Sequence, residues 1–322
     1  MSVAVRLKMS RWRISKRGGR RAHTPLSVRS LATPDGFQWL QRVLLEWGII
    51  VFLFLAMDKW DHPLAYAVGI FFVGSRQHAL AGLGHDGLHF AGMRNRSWND
   101  WLTCLLAYWP LGTNLDAFRK FHFAHHQHTG KAQDPELEHK SWAAAGWSLP
   151  MTRVQIARLF IGDLIGFGVP DILFLAKLWK PVSLRDLWGP PLFWLTAIAV
   201  SVLFKCWWVI LVWATAMATS YWAIFHLRAL AEHTGLQGTH RTRFSWWWEM
   251  IFVPHGIGYH FEHHRWPAIP CWNLSTAREL DQHTPIVALT QVYRDFATAP
   301  AYYYGTPALP GLAAQEKSDA TA

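Results

Sequence analysis

The stretch Trp207–Phe225, WWVILVWATAMATSYWAIF, carries no charged residue. A run of that length is hard to bury whole in a water-soluble domain, and as a helix it is long enough to cross about 30 Å of hydrocarbon. Three more apolar blocks accompany it. Phe37–Met57 and Pro63–Leu83 are separated only by DKWDH, and Pro191–Lys205 is separated from Trp207 by Cys206 alone. The pattern predicts an all-α integral membrane protein with four transmembrane helices in two hairpins, spanning about 38–57, 63–83, 190–205 and 207–225. Arg42, Glu46 and Arg76 interrupt the first two blocks, where charges near helix ends can reach the interface. A mean hydropathy of +0.06 places much of the chain outside lipid.

The formal charge of +10 is concentrated ahead of the first block, where Arg6, Lys8, Arg11, Arg13, Lys16, Arg17, Arg20, Arg21 and Arg29 lie. With no apolar core this segment is not a cleavable signal, and basic residues before a first span stay cytoplasmic. No recognition module accompanies the arginines, so nucleic acid is not an expected partner. An even number of crossings then returns residues 84–188 and 226–322 to the same side. The expectation is a multi-pass protein of a bacterial inner membrane with both termini and the active site cytoplasmic. Residues 1–36 form a basic tail, 37–300 a membrane domain and 301–322 a second tail. Segment 98–113 is too short and too interrupted for a span and reads as interfacial or re-entrant; residues 152–178 read as amphipathic surface helices. Trp39, Trp60, Trp188, Trp207 and Trp208 flank the apolar blocks as an interfacial belt does. Cys104, Cys206 and Cys271 are isolated, which argues against a disulfide framework or a thiolate zinc site.

The polar remainder is marked by histidine. HDGLH (His85, His89) follows the second block, and HxxHH occurs as HFAHH (His122, His125, His126) and HFEHH (His260, His263, His264). At this histidine content one HxxHH is expected by chance about 0.06 times in such a chain, and two far less often. Positions i, i+3 and i+4 share a helix face, so each box can aim its imidazoles at one point. Adjacent histidines diverge around the helix, so one box can serve two neighbouring metals. Imidazoles without cysteine suit zinc, iron, copper or nickel, and eight of them exceed a single zinc site. His23, His62, His139, His240 and His283 stand alone and read as solvated or capping residues. A histidine-rich metal transporter is a distant alternative, because transporters place ligands within membrane helices and these clusters lie beyond the helix ends.

The order HxxxH, HxxHH, HxxHH, with hairpins before and between, resembles the membrane fatty acid desaturase family, as do FRKFHFAHHQHTGKAQDPEL (118–137) and PHGIGYHFEHHRWPAIPCWNL (254–274). The resemblance covers about residues 37–295. It implies a cytoplasmic helical cap holding two non-haem iron ions, O2 as oxidant, a lipid or fatty acyl substrate, and a separate ferredoxin- or rubredoxin-like electron donor. It implies a ninth ligand at His233 in AEHTG, with His226, His128, His78 and His255 as nearby alternatives that read rather as residues behind the ligands or as structural ones. Acyl desaturation is the leading expectation; hydroxylase, ketolase or terminal-olefin-forming decarboxylase chemistry of the same superfamily is the alternative. Asp86, Asp134 and Glu262 lie in or beside the boxes and are expected to take the second N–H of ligating imidazoles.

Overall fold

Asp35 and His62 start the two long N-terminal helices. The Asp35 carboxylate accepts the backbone N–H groups of Phe37 and Gln38 at the head of Gly36–Trp60. His62 caps Pro63–Leu88, whose first-turn proline lacks the N–H that would otherwise be orphaned. In the computed structural model the described residues are 27–299 except 132, 137–147, 178–179, 181–182 and 235–237. The tail before residue 27 and the tail from residue 300 therefore lie outside the described residues.

The chain is mostly helical. Among the described residues, three helices are long and apolar enough to cross a membrane: Gly36–Trp60, Leu184–Leu203, and Trp208–His233, the last running through a break at Thr219. The apolar block in the sequence ends at Phe225, but the helix continues through His226 and Arg228 to His233. Leu44, Leu45, Phe52 and Leu55 on the first helix and Leu192, Leu195 and Val202 on the second are exposed, an outward apolar surface suited to lipid.

Pro63–Leu88 is the helix around which the others pack. It lies against Gly36–Trp60, Trp208–Ala218 and Ser220–His233. It is not among the three, and its middle explains why: Ser75, Arg76, Gln77 and His78 are consecutive and all are buried. Arg76 pairs with Glu46 at 3.3 Å, and His255 Nε2 reaches the same carboxylate at 2.7 Å. At Gly74 the Ser220 helix approaches so closely that a Cβ would stand 2.1 Å from Ser220 Oγ. Such small-residue contacts let helix backbones meet without a side chain between them.

Segment 98–113 forms the helix Arg96–Thr103 and a π-helical turn, Cys104–Tyr108. Its irregular backbone leaves carbonyls that need donors. Three tryptophan indoles supply them: Trp47 donates to the Leu106 carbonyl, Trp194 to Trp109 and Trp213 to Pro110, each at 2.9 or 3.0 Å. Residues 152–178 supply Arg153–Leu164 and Val169–Lys177. A short parallel pair, Thr242–Arg243 with Val287–Ala288, closes the region around the last histidine box.

Candidate metal centre

The first box ends the Pro63–Leu88 helix. Its C-terminal carbonyls are satisfied from two directions: Asn99 Nδ2 donates to Gly87 O at 2.7 Å, and Arg119 Nε donates to Leu88 O at 2.9 Å. Arg119 sits on the second-box helix, Leu115–His128, which Asn114 caps, so the same bond registers the first box against the second. The third box is the short helix His260–Arg265. A buried carboxylate anchors it: Glu262 accepts from Arg241 at 2.7 Å and from Arg278 at 2.9 Å, while Arg241 also donates to the carbonyls of Arg278, Asp281 and Thr284. Asp86 ties the first box to the helix Cys271–Ala277 beyond the third, its two oxygens accepting the Cys271 N–H at 3.1 and 3.2 Å.

These supports bring nine histidines into two groups, His85, His89, His122, His126 and His263, and His125, His233, His260 and His264. Within each group one ligand atom per residue lies within 4.8 Å of all the others. Adjacent histidines do diverge as helix geometry requires: His125 and His126 go to different groups, as do His263 and His264.

In the first group, His122 Nε2 is 2.7 Å from His85 Nε2 and 2.8 Å from His126 Nε2, and His126 Nε2 is 3.0 Å from His263 Nε2. In the second, His260 Nε2 is 2.8 Å from His233 Nε2 and 3.0 Å from His264 Nε2, which is 3.3 Å from His125 Nε2. With metal–nitrogen bonds of about 2.0–2.1 Å, donors at right angles on one ion stand about 3 Å apart.

In the second group, the 3.3 Å approach of His125 Nε2 to His264 Nε2 is not a hydrogen bond between the rings. His125 Nδ1 donates to Asp134 at 2.9 Å and His233 Nδ1 to the Gly238 carbonyl at 3.1 Å. The Thr129 hydroxyl donates to His125 O at 2.7 Å, so its oxygen accepts from His264 Nδ1 at 3.3 Å. Each neutral ring has one N–H, so His125, His233 and His264 all present Nε2 lone pairs inward. Lone pairs converging at this distance fit a cation. His89 Nε2 is buried without a hydrogen-bond partner among the described residues, inside the first group. Burial, and then neighbouring imidazoles, hold His122, His260 and His263 well below the ordinary histidine pKa, and burial brings His126 down to about 4. The rings are therefore neutral near pH 7, the form that binds a metal.

Of the three acids singled out in the sequence, Asp134 takes an imidazole N–H, and Asp86 and Glu262 bond to backbone and arginine instead. His226 is held by Asp163 at 2.9 Å and Asp171 at 3.3 Å, and His255 by Glu46, away from both groups. Two further acids, Glu136 and Glu232, stand beside the histidines without a motif that marks them. Glu136 Oε1 lies 3.7 Å from His125 Nε2, and Glu232 Oε2 3.6 Å from His260 Nε2. Their only signal in the sequence is adjacency, since Glu232 directly precedes His233 and Glu136 follows Asp134 by two. A cavity of about 130 Å³ is lined by members of both groups together with an apolar wall that includes Tyr108, Phe118, Phe121, Tyr221, Trp222 and Phe225.

A sequence model of the fatty acid desaturases matches residues 61–289. This chain belongs to the fatty acid desaturase family. A relative, the dihydrorhizobitoxine desaturase of Bradyrhizobium elkanii, is 27% identical over 282 residues, covering 78% of this chain and 77% of the relative. The desaturase described here is thus an oxidoreductase by family, and its histidine groups are of a kind that can hold metal.

Proposed function

We propose that this desaturase introduces a C=C bond into a lipid acyl chain, using two iron ions held by the nine grouped histidines. The observation that carries the reading is the shared cavity: both groups contribute to its lining, and its remaining wall is mostly apolar. An acyl chain partitions into the bilayer, and a mostly apolar cavity beside membrane-crossing helices suits it.

When bound, the metal pair supplies O2 activation and hydrogen removal. The balance is one O2, two electrons and two protons consumed with two vicinal substrate hydrogens, giving the alkene and two waters. The electrons come from a separate ferredoxin- or rubredoxin-like protein. The chain's own residues hold the imidazoles neutral, fix the proton of His125 on Nδ1 through Asp134, and exclude water by burial.

In this reading Pro63–Leu88 is the fourth crossing, its second half buried by its neighbours, and the histidine boxes and both termini are cytoplasmic. The basic tail supports that orientation. A second substrate reading comes from the relative's name, which gives dihydrorhizobitoxine as the compound that protein acts on. Iron-loaded enzyme supplied with O2 and a reduced donor, and offered lipid acyl chains and that compound separately, discriminates the two by product mass. His125→Ala and His263→Ala are expected to abolish turnover while the protein still inserts in the membrane; retained activity in either variant removes that residue from the ligand set.

A further inference from the structure

A second concave site, a groove of about 580 Å³, shares the Ser220–His233 helix with the metal cavity: Phe225, Arg228 and Ala229 line the cavity, and Leu227, on another face, lines the groove. One wall is a single stripe of the helix Arg153–Leu164, formed by Arg153, Ile156, Ala157 and Phe160 at positions i, i+3, i+4 and i+7. The facing residues are Thr290, Tyr293 and Arg294, at i, i+3 and i+4 of the helix Leu289–Asp295. The Tyr293 hydroxyl donates to the Leu227 carbonyl at 2.7 Å, which fixes this helix to Ser220–His233. Trp248 completes the lining.

The polar groups here are almost all donors. Each of the two helices contributes one arginine, and no aspartate or glutamate among the described residues lines the groove. Arg294 commits Nε to the Thr290 carbonyl at 3.2 Å, which leaves its two terminal nitrogens for a ligand. The Trp248 indole N–H is buried without a hydrogen-bond partner among the described residues. Guanidinium and indole groups donate and do not accept, so the ligand they suit is anionic and rich in acceptor oxygens, as a phosphate is. The rest of the lining is apolar, and a hydrocarbon chain covers it where the acidic surface of a protein would not. Val154 and Ile161 on the first helix, and Trp246, Trp247 and Met250 on the helix Trp246–Ile251, are exposed beside it, the composition of a surface that lies in a lipid interface.

We propose that this groove binds an anionic phospholipid, with the phosphate held by Arg153 and Arg294 and an acyl chain laid against Ile156, Phe160 and Leu227. This rests on the membrane placement above and not on the metal chemistry. The bound lipid bridges Arg153–Leu164 and Leu289–Asp295 across the helix that carries His233, so an occupied groove steadies a wall of the metal cavity from outside. A free phosphate meets the arginines but leaves the apolar stripe uncovered, and a choline headgroup brings its own cation against the guanidinium groups.

The test is native mass spectrometry of the full-length protein, delipidated in neutral detergent and titrated with phosphatidylglycerol, with phosphatidylcholine of the same acyl chains, and with glycerol phosphate. One phosphatidylglycerol per chain should be retained at concentrations about 25-fold below those that phosphatidylcholine requires, since each arginine contributes about fivefold, the worth of one basic residue at an anionic lipid surface. Arg153→Gln and Arg294→Gln should each cut the preference by about fivefold, and the double variant should abolish it. Arg158→Gln, an exposed arginine of the same helix outside the lining, should leave it intact and so separate the groove from overall charge. A preference that survives in the double variant would overturn the proposal, as would an equal loss in Arg158→Gln or binding of glycerol phosphate at the same concentration as the lipid. A double variant that keeps the lipid preference but no longer accepts electrons from an acidic ferredoxin would assign the groove to a protein partner instead. Lipid retention is read without iron or turnover, so its outcome is independent of the outcome for desaturation.

Discussion

His125 Nδ1 stands 2.9 Å from Asp134 Oδ1, and both side chains are buried. The contact fixes which nitrogen carries the proton and leaves Nε2 facing the second histidine group. Asp134 also accepts the backbone N–H groups of Gly130 and Glu136, so one carboxylate orients the ring and folds the chain after the box. Asp134→Ala is expected to weaken metal binding by about 10–100-fold, the usual effect of losing a partner behind a ligating imidazole. Iron retention against a graded chelator series measures it. Retention equal to wild type would mean that the contact does not orient a ligand.

Acid should act on the metal-free protein through the same rings. His126 is lowered to about 4 and His122, His260 and His263 lie well below the ordinary value of 6.5. Between the folded and unfolded values the unfolded chain binds protons that the folded chain does not. Stability is therefore fully present above about 6.5 and falls as pH drops from there towards about 4. Thermal unfolding of metal-free protein in detergent should show the midpoint decreasing across this window. A midpoint rising with acid would contradict the burial of these rings.

Gly87, inside the first box, touches Thr103 so closely that a Cβ would lie 1.9 Å from Thr103 Oγ1. Gly87→Ala should therefore push the first-box helix from Arg96–Thr103 and destabilise by about 1–3 kcal/mol, the range for overpacked interiors. Thr103→Gly in the same chain should recover part of the loss. Chemical denaturation in detergent reads both, and an unchanged midpoint in the single variant would contradict the packing.

Glu262→Gln is expected to be among the most damaging single changes outside the histidines. It leaves Arg241 and Arg278 facing an uncharged amide in a buried site, and breaking one partner of a buried ion pair typically costs about 3–5 kcal/mol. The loss should appear as failure to fold or to retain iron. A variant that folds and binds iron normally would remove Glu262 as the anchor of the third box.

Much of the site is legible in the sequence because its signal is local. HFAHH and HFEHH carry their spacing within five residues, and helix geometry alone predicts that neighbours in each box diverge to separate metals. His233 comes only by resemblance, since a lone histidine after an apolar run has no local signature. The fates of Asp86 and Glu262 are not legible, because Cys271, Arg241 and Arg278 are distant in sequence or carry no pattern that announces them. The long helices are visible as apolar blocks, but the block Pro63–Leu83 hides a buried polar stretch. Its Arg76, Gln77 and His78 are buried against other helices, so its surroundings are partly polar protein, which hydropathy read along the chain does not see.

The most direct test of acyl desaturation is mass spectrometry of lipid acyl chains in a host expressing the protein with iron, O2 and a working electron donor, beside the same host expressing His263→Ala. The account predicts acyl chains lighter by two hydrogens in the first host and absent from the second. An unchanged profile despite bound iron, or chains heavier by one oxygen, would contradict it.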